Sequence, residues 1–264
     1  MSTFEAARLA KRVNTLDADD LYPVSDGQPM AETDEHANQM IYCRDALRGF
    51  FVGRMDVYVS GNNFLYWERG TPSAVISPDG YVCFGVSNEF RDTYKLWEVD
   101  GVTPSFVIEI TSKKTQKEDG DKKKKIYQDI LKVPEYFQFD VTSDYLNPNL
   151  QGWRLEKGKY RKISSANPRE KNRLYSEVLG LFLVAEGRRM RFYDPVSQRF
   201  LLSYTEQAEQ ITSSAQALDF MERRVAMETQ RAEQESEARL TAEAELARLR
   251  AEMDSLRQQL EQRQ

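Results

Sequence analysis

Three observations predict a mixed α/β domain followed by a long helical tail. Short apolar runs, "YVCFGV" (81–86) and "SFVIEI" (105–110), have the length of strands. The second run leads to "DKKKKIYQDILKV" (121–133), helical in propensity, and then to the strand-like "EYFQFDV" (135–141). Strand, helix, strand in that order reads as a crossover unit. Finally, the chain changes character near Glu206. From there to Gln264 it holds 8 arginines, no lysine and 13 acidic residues.

Taken in order, residues 1–30 read as a loose lead-in ending in the turn-rich "YPVSDGQPM". The next stretch, "AETDEHANQMIYCRDALRGFF" (31–51), predicts a helix capped by Thr33, with Met40, Ile41, Ala46, Leu47 and Phe50 on its apolar side. "VGRMDVYVS" (52–60) alternates as a strand does, and "GNN" turns the chain into a second strand at "FLYWE" (64–68). The run at 105–110 is almost continuously apolar, as expected of a strand covered on both faces. Two hairpins follow: "QGWRLEKGKYRKI" (151–163), turning at Lys157-Gly158, and "LGLFLVAEGRRMRFYD" (179–194).

In the tail, positions 218, 221, 225, 232, 242, 246, 249, 253, 256 and 260 share one heptad register, which Glu228, Glu235 and Arg239 interrupt. That pattern reads as an oligomerisation rod, a coiled coil of a homodimer or another oligomer, or as a long solvated or partly disordered helix. The expected domains are 1–20 as lead-in, 21–205 as the globular body and 206–264 as the helical tail.

Composition bounds what the body does. The chain has 264 residues, 40% of them hydrophobic, enough for a real core. Apolar runs are too short to cross a membrane, the first 20 residues lack a signal-peptide core, and two cysteines make no disulfide framework. A cytoplasmic protein without membrane contact is expected. The whole chain carries 37 basic and 42 acidic residues, so removing the tail leaves 29 of each in the body. A neutral body does not announce a polyanion partner. Residues 113–125, however, hold seven lysines against three acids, a local positive patch or simply a solvated charged loop.

Carboxylates stand out by context. Asp79 sits in "SPDG", just before an apolar strand, and Glu109 interrupts the run at 105–110. A buried carboxylate is costly unless it is paired or binds a cation. Glu32, Glu35 and His36 open the first helix at spacings that allow one shared face. Asp79 and Glu109 suit Mg²⁺ or Mn²⁺, since hard cations take oxygen donors and often only one or two protein carboxylates. They equally suit a common turn and an edge strand.

The ordered set "YPVSDGQPMAETDEH", "SPDGYVCFGV" and "WEVDGVTPSFVIEITSKKTQKEDGDKKKKIYQDILKVPEYFQFD" resembles the Uma-two family, a bacterial endonuclease-like group in the PD-(D/E)XK superfamily. The resemblance runs from about Leu21 to Asp194. It implies a restriction-endonuclease-like mixed sheet flanked by helices and a Mg²⁺-dependent hydrolysis of DNA phosphodiester bonds. By that match Asp79 and Glu109 are the metal-binding carboxylates, and Glu32 completes the metal site. The superfamily lysine would stand at 111, where this chain has a threonine. The family pattern instead points to Lys123, four residues before Tyr127, with Lys113 as the nearer alternative. His36 is expected to assist the reaction or to belong to a buried polar cluster. Ser112 and Thr115 match small hydroxyl positions, and Tyr127 is read as helix packing. Lys113, Lys114, Lys117, Lys122 and Lys124 are the candidate phosphate contacts. The competing expectation is a non-catalytic protein that uses this fold as an interaction module.

Overall fold

The computed structural model describes residues 21–25, 33–111, 122–165 and 172–261, without the side chains at 254 and 256–261. The chain divides into two compact units, Met1–Tyr204 and Thr205–Gln264. Among the described residues the first unit begins with helix α1 (Asp34–Phe50), followed by β1 (Val57–Ser60), β2 (Phe64–Tyr66), β3 (Val75–Ile76), β4 (Gly80–Phe84), β5 (Thr93–Lys95) and β6 (Phe106–Thr111). A short helix α2 over 122–130 leads to β7 (Glu135–Asp140), β8 (Leu150–Glu156) and β9 (Lys159–Lys162). β10 (Arg173–Ser176), β11 (Leu181–Glu186), β12 (Arg189–Asp194) and β13 (Arg199–Phe200) complete it. The second unit is a single helix, α3 (Tyr204–Glu261).

A six-stranded sheet in the order β1-β4-β6-β7-β8-β9 organises the first unit. β6 and β7 pair parallel through the α2 crossover, and the other pairs are antiparallel. The sheet is covered on both faces, which explains the continuous burial of β6 and β7. Towards one face point Val82, Phe106, Ile108 and Ile110, packed with Met40 and Leu47 of α1 and with Leu183 and Phe192 of the β10–β13 sheet. Towards the other point Tyr81, Val107 and Tyr136, packed with Tyr94 of β5 and with Tyr127 and Leu131 around α2. Glu109 is two residues from Val107 and shares this second face.

Several sequence expectations match. α1 begins at its predicted cap, the Thr33 hydroxyl accepting from the His36 amide at 3.2 Å. The Lys157-Gly158 turn has φ of 51° and 79°, the paired left-handed geometry of a tight hairpin. Other expectations shift. The strand expected over 52–60 begins only at Val57, because the chain turns at 51–53 with Gly53 at φ 84°. α2 is wound as a π-helix at Ile126–Ile130, the Leu131 amide reaching back five residues to the Ile126 carbonyl at 2.9 Å. Strands of two to four residues, β3, β5, β10 and β13, carried too little pattern to be predicted. Among the described residues no helix is long and apolar enough to cross a membrane.

Candidate active site

Glu109 is wholly buried and its two oxygens are separately engaged. The Tyr127 hydroxyl donates to Oε1 at 2.5 Å, and the Lys123 ammonium donates to Oε2 at 3.0 Å. Both donors come from the 122–130 helix, four residues apart. The wide π-winding brings such positions over one another on the face that covers the sheet, and π-segments recur at functional sites. Lys123 also reaches the Ser77 carbonyl at 3.3 Å, which ties the helix to the segment just before Asp79.

Asp79 immediately precedes β4, whose first residue Gly80 pairs with Ile108, the neighbour of Glu109. The Lys123 ammonium that sits on Glu109 also acts on the Asp79 carboxyl, so the two carboxylates share one neighbourhood. The Asp79 Oδ2 accepts the amide of Ile110 at 2.8 Å, which fixes the carboxylate at the strand end. His36 Nε2 lies 3.7 Å from the same oxygen, longer than a hydrogen bond but close enough for charge to act. Burial pushes the Asp79 carboxyl up, but His36, the Lys123 ammonium and the Ile110 amide outweigh it and hold the group below its ordinary value. Burial first, and then the Glu109 charge, push the Tyr127 phenol well above 10, so it stays a neutral donor.

At position 111 the threonine is buried and its hydroxyl accepts from Tyr145. The cation absent from β6 therefore arrives from α2 as Lys123. Asp140 lies two residues from Gln138, itself opposite Glu109, on the same face of β7. Its carboxylate is occupied by the amides of Thr142, Ser143, Tyr145 and Leu146 and by the Thr142 hydroxyl, so it shapes the loop after β7.

The structure thus brings Asp79, Glu109, Lys123 and His36 into one neighbourhood. Glu35 turns away to an exposed ion pair with Arg188, so it does not share the inward face of His36. Lys122 is exposed on α2. Lys124, a candidate phosphate contact, lies over an aromatic ring. Its ammonium sits 3.6 Å from the Trp153 ring centre, because the helix packs over the β8 aromatics. Glu32, Lys113, Lys114, Lys117, Ser112 and Thr115 lie outside the described residues. Tyr127 is the site residue that sequence reasoning missed. It packs on Tyr136 as expected, with ring centres 5.2 Å apart, yet its hydroxyl is aimed at Glu109.

The donor set can be tested against a divalent cation. Among the described residues no group of three or more His, Cys, Asp and Glu side chains could hold a metal. Two carboxylates share one neighbourhood, and one lysine offsets one of their charges, leaving a net negative charge among hard oxygen donors. Such a pair fits Mg²⁺ or Mn²⁺, which complete their shells with water.

The family model Uma2, described as "Putative restriction endonuclease", matches residues 12–186. No curated protein matches the chain. A solved structure titled as a "putative nuclease belonging to DUF820" from Anabaena variabilis ATCC 29413 is similar at 12% identity and a TM-score of 0.34. The similarity covers 56% of this chain and 84% of that one.

Proposed function

Since the chain belongs to the Uma2 family, described as "Putative restriction endonuclease", we propose that it is a divalent-metal-dependent endonuclease that hydrolyses DNA phosphodiester bonds at Asp79 and Glu109. The observation that carries the reading is a lysine bonded to buried Glu109 that also acts on the neighbouring Asp79 carboxyl. A bound Mg²⁺ or Mn²⁺ would supply Lewis-acid polarisation of the phosphodiester and a more acidic water.

The chain's own groups do the rest. The Ile110 amide, with His36 and Lys123 nearby, keeps Asp79 ionised and oriented. Tyr127 fixes one oxygen of Glu109 from a fully buried position. Lys123 carries its charge on Glu109 and, with a side chain 17% exposed, can also stabilise negative charge developing on a phosphate at the open side. Lys122 is placed on the same helix to meet the backbone of the polyanion without reading its sequence.

One feature favours a second reading. Lys123 and Tyr127 already satisfy Glu109, as a purely structural buried cluster would require. Supercoiled plasmid separates the two. The catalytic reading expects nicking that depends on Mg²⁺ or Mn²⁺ and disappears in Asp79→Ala and Glu109→Ala with folding intact. Absence of nicking by the wild type, together with absence of metal binding, would leave the interaction-module reading.

A further inference from the structure

The tail helix α3 runs 58 residues without interruption. Its apolar seam lies open in the single chain: Leu218, Val225, Leu246 and Leu249 are all more than half exposed. A single unbroken helix cannot cover that seam itself. We propose that it is covered by the same helix of a second copy, running antiparallel and centred near residue 237.

The argument is charge complementarity. The seam alternates a positions (218, 225, 232, 239, 246, 253) with d positions (221, 228, 235, 242, 249, 256). In a parallel pair every slot faces itself. Glu228 would meet Glu228, Glu235 would meet Glu235 and Arg239 would meet Arg239, three like-charged layers inside the seam. In an antiparallel pair a faces d, and residues equidistant from 237 meet. Glu235 then faces Arg239 of the second copy, Leu249 faces Val225, Met253 faces Met221, and Leu256 faces Leu218. Ala242 faces Ala232. The one mixed layer sets Leu246 against Glu228, whose carboxylate lies 3.6 Å from Arg224 on its own helix and can lean outward.

The flanking g positions reverse sign halfway along the helix: Arg224 and Arg231 come first, Glu245 and Glu252 later. Antiparallel pairing sets g against g and e against e. Arg224 then meets Glu252, Arg231 meets Glu245, and Glu222 meets Arg250, each pair formed twice by symmetry, with no like charges facing. A parallel pair gains only Glu245 with Arg250 and Glu252 with Arg257. With residue 204 33 residues before the centre, at ~1.5 Å per residue, the two helix starts stand about 100 Å apart.

Cross-linking of the full-length protein tests the direction. Cys43 and Cys83 are buried, so cysteines introduced on α3 report alone. Val225→Cys and Leu249→Cys chains, co-expressed and mildly oxidised only once folded, should form a disulfide-linked dimer, while neither variant should do so by itself. Linkage of Leu249→Cys to itself, linkage of neither variant nor mixture, or a wild type that sediments as a monomer would overturn the proposal. A charge exchange gives a second reading without cysteines. Glu235→Arg should weaken the dimer at least about tenfold, and Glu235→Arg with Arg239→Glu should restore it. A parallel seam would respond to neither change.

Discussion

Replacing Tyr127 by phenylalanine removes one oxygen from the heart of the site and little else. The ring is wholly buried and keeps its packing on Tyr136, so no large cavity opens. What is lost is a 2.5 Å hydrogen bond to a carboxylate with no solvent exposure. Hydrogen bonds to charged groups contribute about 1.5–3 kcal/mol, and no water can easily replace this one. Glu109 keeps its lysine, so the larger penalty of an uncompensated buried charge does not apply. Tyr127→Phe should therefore lower the unfolding free energy by about 2 kcal/mol in urea. Because the phenol stays neutral well past pH 10, the loss should be constant between pH 6 and 9. A cycle with Glu109→Gln isolates the pair, and a coupling of about 1 kcal/mol or more is expected. A Tyr127→Phe loss within 0.5 kcal/mol, or no coupling, would refute the assignment of Tyr127 as the residue that positions Glu109.

Other perturbations follow from the same geometry. Lys123→Met leaves Glu109 buried without its cation and should cost about 3 kcal/mol, the low end for a broken buried pair because the lysine side chain is 17% exposed. Adding Glu109→Gln should recover most of that loss in thermal melts, and failure to recover it would mean the lysine stabilises through other contacts. Asp79 has a folded pKa held below its ordinary 3.8, so its contribution is complete above that value and is lost as pH falls through the folded one. Melts of Asp79→Asn against wild type should therefore converge below about pH 4, and parallel curves down to pH 2 would contradict the shift. Gly61→Ala would set a Cβ 2.1 Å from the Asp79 carbonyl oxygen, a backbone clash that should cost roughly 2–3 kcal/mol. It should also displace Asp79, seen as weakened metal binding, whereas an alanine tolerated on both counts would show that this loop is free to move.

The parts of this molecule that were legible in the sequence are those where one physical demand dominates. Glu109 could be found because a carboxylate inside a continuously apolar strand requires compensation, and the crossover from β6 to β7 because a helical stretch separates two such strands. The Lys157-Gly158 turn was legible because its backbone demands left-handed geometry. Tyr127 was not, because a buried tyrosine on a helix facing a sheet satisfies packing whether or not its hydroxyl has a task. The parallel pairing of β2 with β5, in a small sheet separate from the main one, leaves no periodic trace over three residues. The placement of Lys123 on Glu109 follows the sequence expectation, whereas nothing in four consecutive lysines signals that Lys124 stacks on Trp153, a residue of a strand far along the chain.

Metal binding tests the central claim most directly. Mn²⁺ titrated by calorimetry into the wild type, Asp79→Ala and Glu109→Ala should give one binding event in the wild type and none in either variant, each variant retaining its folded circular dichroism. Binding that persists in both variants, or no binding to the wild type, would contradict a metal site built on these two carboxylates.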